Sequence, residues 1–176
     1  MNFFIFITLF LTFFLNIVNA TPLQDRDIST ILDDLRKVGA GVTALNDVVK
    51  NYNPGVDRAT IEKLEHTIEH DMISATREAV LNQAFNDQDS KTVTDAAMQI
   101  KPAIEDFIHD AVAKKSTFRE ANLIGFMHQN FFHLQSRCFP LADALQNKVN
   151  DADSKAIQEY VVQVDRAFED AIAEFS

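Results

Sequence analysis

Apolar side chains recur along almost the whole chain in alternating steps of three and four residues, and that spacing admits few folds. From Ile28 the series runs Ile31, Leu35, Val38, Val42, Leu45, Val49 and Tyr52. At about 100° per residue, such steps stay on one side of a helix and make a seam. The period returns in Ile61, Leu64, Ile68, Met72, Ala75 and Ala79, then in Val93, Ala97, Ile100, Ile104, Phe107, Ile108 and Ala111. It returns again in Leu123, Met127, Asn130, Leu134, Cys138, Leu141 and Leu145, and last in Ile157, Val161, Val164, Phe168, Ala171, Ile172 and Phe175. No segment of useful length alternates with the period of two that a half-buried strand needs. The spacing predicts helices from Asp25 to Tyr52, Asp57 to Phe85, Asp89 to Lys115 and Phe118 to Val149, and a fifth from Asp153 onward. Five amphipathic helices of this kind, each about 38 Å long at about 1.5 Å per residue, make an all-α antiparallel bundle.

Local chemistry punctuates the pattern. Gly39 and Gly41 fall inside the first helix, where glycine costs stability, so they mark a bend or a close approach by another segment. "NYNPG" stops that helix, and Asp57 is placed to cap the second. Ile73, Val80 and Ala84 form a second apolar line on helix two, which implies packing between neighbours. "NDQDSK" is a loop in which Asp89 or Ser90 caps helix three. Pro102 lies opposite the third seam and predicts a bend, and Pro140 predicts a kink in the fourth helix. Asp153 is the expected cap of the fifth.

The first twenty residues, "MNFFIFITLFLTFFLNIVNA", carry no charged side chain and end on small residues. They read as a secretory signal over 1–20, leaving one domain over 21–176 and a secreted, extracellular or cell-wall-associated protein. The formal net charge of −10 then belongs to the mature domain. That charge and the lack of a basic patch argue against nucleic acid and against anionic headgroups, while leaving open the binding of a lipid by its apolar tail. The single cysteine, Cys138, permits no internal disulfide, so an apolar core must stabilise the fold. Its seam position reads as a buried thiol or as an intermolecular bridge.

"EHTIEHD" holds His66, Glu69 and His70 in an H-x-x-E-H pattern that supplies zinc ligands and a base in some proteases. Here both histidines fall opposite the seam of helix two, among Glu62, Glu65, Glu69 and Asp71, and a catalytic zinc needs a third ligand and a sheltered cleft. The pattern reads as a solvated face, and a zinc hydrolase is the least favoured reading. No serine elbow, Cys/His pair or glycine-rich phosphate loop is present, so neither enzymatic activity nor a cofactor or metal is expected. Asn130 sits in a seam, where a buried amide must be satisfied, either as a register-setting core residue or as a polar anchor in a cavity. Phe132 and Phe139 lie opposite the seam, either packed on another helix or forming an exposed patch that touches apolar surfaces.

The segments "ISTILDDLRKVGAGVTALNDVVKNYNPG", "IEDFIHDAVAKKSTFREA", "LADALQNKV" and "VDRAFEDAIAEFS" resemble, in order and spacing, the fungal hydrophobic surface-binding protein A and cell-wall galactomannoprotein family. The resemblance runs from Ile28 to Phe175. This chain departs from it in acidity, in Pro140, in lacking a Ser/Thr-rich tail, and at Ala142, where many relatives carry Ser. The resemblance implies a secreted helical bundle that binds hydrophobic surfaces or holds fatty acids in a central tunnel. On that expectation a fatty acid or other long-chain apolar ligand lies among Leu64, Ile68, Met72, Ile100, Ile104, Phe107, Met127, Leu134, Leu141, Val164 and Phe168, with Asn130 as headgroup partner. The alternative is a protein that adsorbs to hydrophobic surfaces or cell wall through Phe132 and Phe139 and recruits hydrolases.

Overall fold

The computed structural model describes residues 27–53 and 58–176, and within them the five seams become seven helices. The expected signal sequence, the start of helix one at Asp25, the Pro54-Gly55 stop and the Asp57 cap lie outside the described residues. Helix α1 spans Ser29–Lys50 and α2 spans Arg58–Leu81. The third seam divides into α3, Asp87–Met98, and α4, Lys101–Ala113. The fourth divides into the short α5, Lys115–Glu120, and the long α6, Ile124–Gln146. Helix α7 spans Asp151–Glu174.

Each departure from the expected five has a local cause. Pro102 stands in the first turn of α4. It has no N–H to offer Met98, and its ring crowds that carbonyl, so the helix breaks at Gln99–Ile100 instead of bending. The division between α5 and α6 is a Schellman turn. Asn122 takes φ 57°, the N–H of Leu123 donates to Phe118 O at 2.8 Å, and the N–H of Asn122 donates to Arg119 O at 3.0 Å. Asn tolerates this left-handed conformation better than most residues, and two otherwise orphaned carbonyls are satisfied by it. Pro140 sits inside α6, as expected.

The caps are also shifted by three residues from their expected places. Asn86 Oδ1 accepts from the N–H of Asp89 at 2.9 Å, and Asn150 Oδ1 accepts from the N–H of Asp153 at 3.0 Å. "NDQDSK" and "NDADSK" are thus the same device used twice: an Asn cap with two aspartates against the positive end of the helix dipole. The two interlock. Buried Ser90 donates through Oγ to Asp153 and accepts from the N–H of Asn150. Nearby, Lys148 donates to the carbonyls of Val80 and Asn82, and the N–H of Phe85 donates to Lys148 O.

The helices close into a ring. Helix α1 packs on α2, α2 on α6, α6 on α7, α7 on α3 and α4, and these on α1. The five long elements, with α3 and α4 counted as one, alternate in direction along the chain, as an antiparallel bundle requires, but ring neighbours often run parallel. Glu65–His133 and Val80–Lys148 are each separated by 68 residues, which sets α2 parallel to α6. Ser90–Asp153 and Lys101–Gln163 set α3 and α4 parallel to α7 in the same way. An odd number of long elements alternating in direction cannot close a ring without such pairs.

Burial largely follows the seams, but Phe118 and Phe131 are buried off the expected lines, and α2 departs from expectation as well. On α2 the buried line is Ile61, Glu65, Ile68, Met72, Ala75 and Ala79, so Glu65 takes the place expected of Leu64. Ile73 and Val80, expected to pack between neighbours, are 50% and 57% exposed, because the ring leaves the outer face of α2 open. Gly41 marks a close approach: a Cβ there would stand 2.8 Å from Ile68 Cγ1, whereas at Gly39 the nearest atom would be at 3.7 Å. Among the described residues no helix is long and apolar enough to cross a membrane.

Candidate functional site: an apolar void in one half of the bundle

The side chains that point at the ring axis change character along it. At one end, aromatic rings fill the axis. Tyr52 stacks on Phe118 at 4.6 Å, Phe131 meets Phe175 at 5.3 Å and Phe107 at 5.4 Å, and Phe118 lies 6.3 Å from Phe175. Such tilted pairs fill volume efficiently and add to the burial energy. Toward the interlocked caps the axis is lined instead by Val93, Ala97, Ala142, Val161 and Val164. Phe168 stands between the two halves, 6.4 Å from Phe131.

The aliphatic half holds a void of about 40 Å³. Leu35 and Val38 come from α1, Met72 from α2, Ala97 from α3, and Ile100 and Ile104 from the α3–α4 junction and α4. Leu141, Ala142 and Leu145 come from α6, and Ile157, Val161, Val164 and Phe168 from α7. Every long element of the ring therefore contributes wall. Small Ala and stiff β-branched residues leave space that Phe would fill. Pockets for drug-sized ligands occupy about 300 Å³ or more, so a long ligand must widen this space by moving helices or rotating side chains.

Polar residues join the wall where α6 meets α7, although the surface facing the void is almost wholly apolar. Gln135 Nε2 donates to Asp165 Oδ1 at 2.7 Å, and Cys138, Tyr160 and half-exposed Phe139 complete that edge. Burial pushes the Cys138 thiol up to about 12, with the charge of Asp165 adding to it. At neutral pH it is a protonated, unreactive thiol. Burial also pushes the Tyr160 hydroxyl upward, with Cys138 and Glu105 adding to it, so Tyr160 remains a hydrogen-bond donor. Among the described residues that line the void there is no Lys, Arg or His.

Of the residues expected around a ligand, Met72, Ile100, Ile104, Leu141, Val164 and Phe168 share this void. Ile68, Phe107, Met127 and Leu134 are buried elsewhere in the core, and Leu64 lies half-buried beside the seam. Asn130 is buried outside the void wall. Its Nδ2 donates to Phe126 O at 2.8 Å within its own helix, and its Oδ1 has no partner among the described residues. Phe132 is 56% exposed, and Phe139 both faces solvent and touches the void. The sequence reading left out the α1 wall and the polar edge. Gln135 and Asp165 each follow a seam residue by one, which turns them toward the neighbouring helix, but that signal is shared by many surface residues.

The H-x-x-E-H pattern resolves differently from a zinc site. His66 and His70 are exposed. Glu65, read from sequence as part of that wet face, is instead buried and meets His133 Nδ1 at 2.9 Å, while Glu69 meets Arg137 at 3.5 Å. Burial raises the Glu65 carboxyl, and the hydrogen bond from His133 partly opposes that rise. Ligand atoms of Glu65, Glu69 and His133 lie within 4.8 Å of one another, close enough to bind a cation. With His133 hydrogen-bonded to Glu65 and Arg137 on Glu69, these side chains already have partners and clasp α2 to α6.

Three comparisons bear on this geometry. The family model described as hydrophobic surface binding protein A matches residues 28–147. The crystal structure of AFMP4P in complex with palmitic acid superposes with a TM-score of 0.82 at 30% identity, covering 85% of this chain and 100% of that one. Ligand-binding domain 2 of the Penicillium marneffei MP1 protein, complexed with multiple arachidonic acids, superposes with a TM-score of 0.79 over 87% of this chain and 98% of that one. At 14% identity that likeness is one of fold. Cell wall mannoprotein 1 of Aspergillus flavus is 23% identical over 153 residues, which is 87% of this chain but 56% of that protein. The chain thus spans little more than half the length of that relative.

Proposed function

This chain belongs to the hydrophobic surface binding protein A family, and from that premise we propose that it holds a long-chain apolar ligand of fatty-acid type in the aliphatic half of its bundle. The observation that carries the reading is the void itself, walled by every long element of the ring in the fold that AFMP4P shares. Burying sixteen methylenes yields on the order of 10 kcal/mol gross at about 0.8 kcal/mol each, which can offset both the cost of association and the widening of the void. The wall carries apolar groups and few polar ones, as a binding site for an alkyl chain needs, and the reading is of a binding protein rather than an enzyme. It includes export to the cell surface or wall, supported by the apolar first twenty residues and by the likeness to cell wall mannoprotein 1.

Native mass spectrometry tests this directly. Delipidated protein titrated with sixteen-carbon ligands is expected to take up ligand saturably at one chain per protein. A folded protein that takes up no such ligand would sink the proposal. A second reading, adsorption to apolar solids, is favoured by the exposure of Phe132 and Phe139 at i, i+7 on one face of α6. Replacing both with Ser should weaken adsorption to polystyrene, and unchanged adsorption would remove these residues from the surface contact.

A further inference from the structure

Among the described residues the wall of the void meets solvent along one line. Wall residues from α1, α2, α3, α4 and the α3–α4 junction are all buried. Those that keep some exposure, Gln135, Cys138, Phe139, Tyr160 and Asp165, all lie on α6 and α7. Phe139 is the most open of them at 45% and stands between the void and solvent. Pro140 follows it and has no N–H to donate to the carbonyl of Ser136, so the turn of α6 that carries Phe139 lacks one rung of its ladder. Resting on the ligand-binding reading above, we infer that an acyl chain enters methyl end first between α6 and α7 past Phe139 and leaves its carboxyl end outside, so that the site takes monoacyl lipids, free or esterified to a larger headgroup.

The interior sets the orientation. Val38, Ala97, Leu145 and Ile157 offer no side-chain donor, and no Lys, Arg or His stands among the described lining residues. A carboxylate carried in among them would lose its hydration with nothing to replace it, whereas a methyl end gains by leaving water. The ends of the ring are closed in other ways. Phe107, Phe131 and Phe175 fill one, and the interlocked caps with Lys148 tie the other. At the α6–α7 line the Gln135 amide and Asp165 satisfy each other at 2.7 Å and form one side of the opening. A headgroup beyond Phe139 stays in water, where nearby charge is screened and where its size is not limited by the void. The widening that the chain demands is the same for an acid and for an ester.

The test compares palmitate, palmitoyl lysophosphatidylcholine and hexadecanedioate, which is charged at both ends. Each is radiolabelled, held below its micelle concentration and dialysed against the delipidated full chain near neutral pH. Palmitate and the lysophospholipid are expected to bind within about fivefold of each other, and hexadecanedioate about a hundredfold more weakly than palmitate or worse. Ala142→Met, which fills part of the void, should weaken palmitate and the lysophospholipid alike, by about tenfold. Phe139→Ala should speed the release of palmitate to phosphatidylcholine vesicles by about threefold or more, read by stopped flow, whereas Ile73→Ala on the open face of α2 should leave release unchanged. Exclusion of the lysophospholipid while palmitate binds, or hexadecanedioate binding as tightly as palmitate, overturns the inference and leaves the fatty-acid site standing. So does an Ala142→Met loss confined to palmitate, or release that Phe139→Ala does not alter. Failure of palmitate to bind overturns the reading of the site itself. The ranking of the three ligands in the unmodified protein decides the matter even if a variant folds poorly.

Discussion

The two halves of the bundle are built on the same five seams and differ in what fills them. At the Tyr52 end, Phe107, Phe118, Phe131 and Phe175 interlock, and each is almost completely buried. At the capped end, the corresponding turns carry Ala97, Ala142, Val161 and Val164, and a void remains. Ring closure therefore does not dictate a cavity; side-chain volume does. Large rings make one end a fixed block, and small aliphatic side chains leave the other end able to widen. The interlocked caps and Lys148 hold that end together at its rim, so widening falls on the side chains of the middle turns.

Phe131→Ala should produce the largest loss, about 4 kcal/mol by urea denaturation, because it removes a ring that touches three others. Val164→Ala, in the aliphatic half, should cost about 1–2 kcal/mol. Equal costs would break the distinction between the halves. Ala142→Met places a flexible side chain in the void. It should change stability by less than about 1 kcal/mol while lowering affinity for a sixteen-carbon ligand by about tenfold or more, measured by dialysis.

Gly41→Ala and Gly39→Ala should differ in sign. The Gly41 change forces buried Ile68 to move and should cost about 1–2 kcal/mol, whereas Gly39→Ala should gain about 0.5–1 kcal/mol from helix propensity. Thermal melts of the two variants check this. Glu65→Gln should have the smallest effect, and one that depends on pH. Burial holds the Glu65 carboxyl above its ordinary value of 4.5, with His133 opposing in part. A raised carboxyl pKa means that this group's contribution to stability is fully present below that ordinary value and is lost as pH rises through the folded value. The variant should therefore gain on the unmodified protein as pH rises above that ordinary value of 4.5, measured by urea denaturation at several pH values. A difference that does not vary with pH would contradict the assigned burial.

The seams were legible because burial in a ring of helices needs only one apolar line per helix. The breaks were less so. Pro102 reads as a bend or as a stop depending on where the next helical turn starts, and Asn122 looks like any polar surface residue until its left-handed turn is seen. Glu65 was hidden by its company: four acidic residues around two histidines read as one wet face, yet the heptad step from Ile61 lands on Glu65 as readily as on Leu64. The ligand wall was half legible. Met72, Ile100 and Leu141 follow from seam membership, but which seam residues surround empty space depends on volumes summed over five helices, and no single stretch of sequence carries that sum. The polar edge made by Gln135 and Asp165 depends on the order of helices in the ring, which alternation of direction alone does not set.

The central claim is that one half yields to a ligand and the other does not. Methyl NMR of the full chain during titration with hexadecanol tests it most directly. The account predicts large shifts at Val38, Leu141, Leu145, Val161 and Val164 and little change at Val49 and Ile61. Shifts of equal size at Val49 and Ile61, or shifts confined to exposed Val80 and Val162, would contradict it.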